Sequence, residues 1–125
     1  MVISLRQLQQ SFQALANLGQ INAFPDKTKY RITKLLRQLS PKFEILDSYR
    51  LKVMRECTIV NDKGEKSVDQ EKFESEFGKY LDENECDLGG NVIPIPESMF
   101  SGMPVRPNDL YLLGPLLEED VAEQE

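Results

Sequence analysis

The stretch from Phe24 to Cys57 constrains this chain more than any other. Its apolar residues recur at Ile32, Leu35, Leu36, Leu39, Phe43, Leu46, Tyr49, Val53 and Cys57. Steps of three and four residues stack such side chains along one face of an α-helix. About thirty helical residues rising 1.5 Å each span roughly 50 Å, more than the width of a small globule. The pattern therefore predicts a rod that protrudes or bends, with an apolar flank that something must cover. Pro41 removes one backbone donor and crowds the carbonyl of Arg37, at a cost of about 3 kcal/mol in a helix interior. Ser40-Pro41 also suits a fresh helix start. The apolar stripe crosses Pro41 without a change of phase, which favours one continuous helix bent there.

The remaining segments supply partners for that rod. Ser4 and Gln7 have the spacing of a capping box, with Ile3 and Leu8 placed as a hydrophobic staple. Leu5, Leu8, Phe12 and Leu15 continue the helical rhythm to Gly19, a candidate left-handed helix stop. The loop that follows ends at Pro25, and Asp26 is the expected cap of the long helix, so the first two helices should form an antiparallel hairpin. Thr58 to Val60 and Glu65 to Val68 flank the turn sequence Asn61-Asp62-Lys63-Gly64 and predict a small β-hairpin. Ser67 with Gln70 repeats the capping-box spacing, and Phe73, Phe77, Tyr80 and Leu81 predict a third helix returning along the long one. Val92, Ile93 and Ile95, interrupted by Pro94 and Pro96, fit an extended edge strand. Pro107 and Asp109 then open a terminal helix that Gly114-Pro115 breaks. The fold class is thus mainly α: a helical hairpin or three-helix arrangement around one long, Pro-kinked helix, with a small β-hairpin and an extended edge segment. One domain, 1–117, is expected, followed by an acidic tail, 118–125.

Charge is distributed unevenly. Residues 1–60 hold ten Lys or Arg and four Asp or Glu, while residues 61–125 hold five and seventeen, so the halves stand at +6 and −12. Either the halves pack together and their fields partly cancel, or the basic helix meets an acidic partner, or the acidic half meets a basic groove. The opening MVISLRQLQQ lacks the form of a secretory leader, and no apolar run is long enough to span a bilayer. An intracellular chain without membrane contact is expected. Cys57 and Cys86 are distant in sequence and read as apolar fillers rather than a disulfide or metal pair.

No enzyme, metal site or cofactor is expected from these residues. With no histidine, the commonest general base and metal ligand is missing. Glu74 with Glu76, or Asp82 with Glu83 and Glu85, lie on a helix face or its end rather than in a cation-binding loop. Leu88-Gly89-Gly90-Asn91 lacks the ending and setting of a phosphate loop. Lys27, Arg31 and Lys34 form a basic stripe at i, i+4 and i+7, but no DNA-binding motif accompanies it and no aromatic ladder is interleaved with it. Nucleic acid is accordingly not the expected partner.

The segment KTKYRITKLLRQLSPKFEILDSYR, the NDKGEKSV turn, the helix EKFESEFGKYLDENE, the VIPIP stretch and the closing PNDLYLLGPLLEE together resemble a family of short bacteriophage and prophage proteins without an assigned function. The resemblance covers roughly residues 3–118, and Tyr30, Leu36, Leu39, Pro41 and the Asp109, Leu110, Leu113 cluster carry most of it. It implies a phage origin, a virion-assembly setting, and a place in the host cytoplasm or the particle. No catalytic residues come with it.

The expected function is a non-enzymatic, phage-encoded protein–protein interaction protein, structural or accessory in virion assembly. Its partner would be a phage or host protein, or a second copy, meeting the stripe Ile32, Leu35, Leu36, Leu39, Phe43, Leu46, Tyr49 and Val53. The first helix offers fewer anchors than this stripe needs, so the third and terminal helices or another chain must cover the remainder. An acidic inhibitor of a host nucleic-acid-handling enzyme and a small DNA-binding regulator are the alternatives.

Overall fold

The computed structural model describes residues 1–118; of the acidic tail, residues 119–125 lie outside the described residues. The protein is mainly helical. A short strand β1 (Val2–Ser4) leads into α1 (Leu5–Leu18), followed by α2 (Asp26–Glu56), the hairpin β2 (Thr58–Val60) and β3 (Lys66–Val68), and α3 (Gln70–Glu83). Next come β4 (Glu85–Asp87), β5 (Ile95–Pro96), a 3-10 turn over Glu97–Phe100, α4 (Pro107–Leu113), a second 3-10 turn over Gly114–Leu116, and β6 (Leu117–Glu118).

α2 is one helix of 31 residues with Pro41 inside it, about 46 Å long at 1.5 Å per residue. Pro41 is exposed, so water can reach the carbonyl that its ring leaves without a donor. One residue earlier, Ser40 Oγ donates to the Leu36 carbonyl at 2.8 Å. The cap differs from the expectation. Pro25 occupies the cap position without a side-chain bond, and Asp26 stands inside the first turn, where its carboxylate complements the helix dipole.

α1 lies between α2 and α4 and buries Leu8, Leu15 and Leu18 completely. Ser4 Oγ accepts from the Gln7 amide at 3.0 Å, as the capping box predicts. The reciprocal bond is absent, because the Gln7 side chain instead donates to Ser11 Oγ at 2.7 Å and to the Leu112 carbonyl at 2.9 Å. That carbonyl belongs to the end of α4, so a residue expected to cap the start of one helix ties two together. Gly19 ends α1 with φ −63°, right-handed rather than left-handed.

α3 covers the far half of α2. Tyr80 stacks on Tyr49 with ring centroids 3.8 Å apart, as Phe12 of α1 stacks on Phe43 at 4.1 Å. Asp69, not Ser67, caps α3 by accepting from the Lys72 amide. The Asp69 amide in turn donates to the Cys57 carbonyl at 2.8 Å, which seats the hairpin at the end of α2. The hairpin turn follows the sequence: Asn61 Oδ1 accepts from the Lys63 and Glu65 amides, and Gly64 takes φ +80°.

Two pairings join distant segments. β1 runs antiparallel to β4, with Ile3 opposite Cys86, and β5 runs parallel to β6, with Ile95 opposite Leu117. The extended segment is shorter than expected. Only Ile95–Pro96 pairs, while Val92 and Ile93 stay outside any strand. Side chains of α2 hold that segment: Arg31 donates to the Pro94 carbonyl at 2.8 Å and Gln38 to the Asn91 carbonyl at 3.1 Å.

Candidate functional site

The two faces of α2 divide sharply. Ile32, Leu35, Leu39, Leu46 and Val53 are at most 3% exposed, and Leu36, Phe43 and Tyr49 are half-buried against the same core. All eight residues expected to meet a partner are therefore engaged within the chain. α1 covers the first half of the stripe, and α3 supplies the cover that α1 lacks the length to give.

The basic stripe divides differently from its sequence spacing. Lys27 and Lys34 are exposed, whereas Arg31 is half-buried and committed to Pro94. At 100° per residue, Lys27 and Lys34 share the outer face of α2 with Arg37, Lys52 and Arg55, all exposed. On that face Tyr30 is 66% and Ile45 68% exposed, with Leu51 beside them at 44%. Asp26 and Glu44 lie within this face, between Arg37 and Leu51 around the helix, and Glu56 stands at its margin. Among the described residues the ion pair within α2 is Arg50 with Asp47, at 2.8 Å, and the five outer-face cations join none. A shallow depression of about 470 Å³ opens beside Tyr30, lined by Asp26 and Lys29 as well as Lys34, Arg37 and Gln38. The wheel position opposite the apolar stripe was the signal that could have found Tyr30, Ile45 and the later cations from sequence.

Exposed apolar surface continues past the end of α2, where Ile59 and Val60 on the hairpin are 54% and 61% exposed. Along the edge of the outer face where Ile45 stands, a groove of about 320 Å³ runs between α2 and β4, lined by Lys42, Ile45, Tyr80, Asn84 and Cys86 among others. Burial pushes the Cys86 thiol up, against the opposing pull of Lys42. Cys57 is buried beneath α3 with its Sγ 3.8 Å from a Glu76 carboxylate oxygen. Burial first and that carboxylate second raise its thiol above the ordinary range. Such thiols hold their protons and are poor nucleophiles.

Two further clusters are structural in character. Arg6 grips Asp82 through Nε at 2.6 Å and Nη2 at 3.2 Å, a fork that holds the Asp82 carboxyl below its ordinary range, chiefly by hydrogen bonding. Asp109, 4% exposed, accepts from Asn17 and Arg106 and fixes α4 to α1. Among the described residues no group of three His, Cys, Asp or Glu side chains is arranged to hold a metal ion. No helix among them is long and apolar enough to cross a membrane. Comparison with protein-family models, curated proteins and solved structures finds no match to the chain.

Proposed function

We propose that this protein is a non-enzymatic protein–protein interaction protein, a structural or accessory component of phage particle assembly that is present in the host cytoplasm and carried into the particle. One observation carries the interaction reading: Tyr30 and Ile45, each about two-thirds exposed, stand on the outer face of a long helix whose inner face is locked into the core. Large apolar side chains held on a rigid element gain burial by contact, with little conformational entropy left to lose. The assembly setting is supported by the resemblance to short phage proteins. Quantitative mass spectrometry of purified particles tests it. A fixed copy number per particle is expected, and absence from particles would refute the assembly role.

A second reading has its own support. Glu71, Glu74, Glu76, Glu83 and Glu85 are all exposed along α3 and β4, a series of carboxylates that could occupy the basic groove of a host nucleic-acid enzyme. Stoichiometric recovery on such an enzyme at low ionic strength, lost steeply as salt rises, would favour it over particle assembly.

A further inference from the structure

We infer that the outer face of α2 docks an acidic amphipathic helix of a different protein. The inference rests on the interaction reading above and names the chemistry of the partner. Three observations lead to it. First, the face carries five exposed cations, Lys27, Lys34 and Arg37 toward one end of a helix of 31 residues and Lys52 and Arg55 toward the other, against Asp26 and Glu44, so its complement carries an excess of carboxylates. Second, apolar side chains interrupt the cations. Tyr30 and Ile45 are separated by about 22 Å, four helical turns, and a phosphate backbone offers them nothing to bury against, whereas an amphipathic helix brings apolar anchors at that period. Third, a second copy docked through the same face would bring the same excess of cations to the contact, an arrangement that like charges oppose.

The test uses the full chain and a defined probe: a synthetic helical peptide with leucines four turns apart and glutamates between them, its binding followed by fluorescence anisotropy at low and high salt. Binding at low salt is expected. It should weaken about tenfold in the exposed double variant Lys34→Glu, Arg37→Glu and about fivefold in Tyr30→Ala, with unchanged circular dichroism in both. Four outcomes overturn the inference. No binding at low salt removes the site. Tighter binding of a DNA duplex, with Tyr30→Ala silent, assigns the face to phosphate. Peptide binding only by a variant shortened after Glu118 assigns the face to the chain's own residues 119–125. Salt-sensitive dimers that Arg37→Glu dissolves assign it to a second copy. A protein found in particles that ignores the peptide would lose only this partner chemistry, and the assembly reading would stand.

Discussion

Replacing Gly114 by alanine should destabilise the fold by an amount that can be worked out in parts. Gly114 ends α4 with φ +54° and ψ −124°, a region that side chains enter at a cost of about 1–3 kcal/mol. The added Cβ would also lie 2.6 Å from Gln7 Nε2 and 2.7 Å from Gln7 Cδ. The Gln7 amide must then leave Ser11 Oγ and the Leu112 carbonyl, each hydrogen bond being worth about 1 kcal/mol net. The expected loss for Gly114→Ala is thus about 3–5 kcal/mol, and for Gln7→Ala about 2 kcal/mol. The double variant loses the Gln7 bonds only once, so it should resemble Gly114→Ala alone and fall about 2 kcal/mol short of the sum. Urea denaturation followed by circular dichroism measures all three. Additive losses would show that the Gln7 contact is not what Gly114 protects. A loss below about 0.5 kcal/mol for Gly114→Ala would refute the backbone argument as well.

Opposite faces of α2 should respond differently to truncation: Leu39→Ala, at a position with no exposure, is expected to cost about 2–5 kcal/mol, whereas Ile45→Ala should stay within about 0.5 kcal/mol in the same urea titrations. Cys86 should react with a thiol reagent well before Cys57, and Cys57 only at the rate of opening. Both thiols titrate higher in the folded chain than in the unfolded one, so the unfolded state loses these protons first, and stability should fall as pH climbs past the ordinary thiol range of about 8.5. Asp82 works in the opposite sense. Its lowered folded value contributes stability above the ordinary carboxyl value of about 3.9 and loses it as pH falls through the folded value, so Asp82→Asn should flatten the acid limb of a stability–pH curve.

How much of this was legible in the sequence depended on how local the cause was. The apolar stripe of α2, the Ser4 cap, the Asn61–Gly64 turn and Pro107 at the first position of α4 all rest on residues a few positions apart, and each is found where expected. The pairing of Val2–Ser4 with Glu85–Asp87 was not legible, because three-residue strands carry no periodicity and their partners are more than eighty residues apart. Nor could Gln7 be read correctly. Its spacing from Ser4 fits a capping box, but the α4 carbonyl brought near by packing competes for the same amide and wins.

The surface of the candidate site shows the same limit. Lys27 and Lys34 could be placed on one face from spacing alone, yet Arg31 is drawn aside by a carbonyl 63 residues away. The apolar stripe itself was readable as a face needing cover, but not as a face already covered. That answer depended on α3, whose aromatic residues meet the far half of α2 only after the hairpin has turned the chain back.

The continuity of α2 supports every other part of the account, and a distance across it tests that continuity directly. Spin labels at Lys27→Cys and Arg55→Cys, both exposed, with Cys57 and Cys86 replaced by alanine, can be measured by double electron–electron resonance. One unbroken helix places those backbones about 42 Å apart and gives a single narrow distribution near that value. A distribution centred well below it, or split in two, would mean that the helix is broken at Pro41 and that no continuous outer face exists.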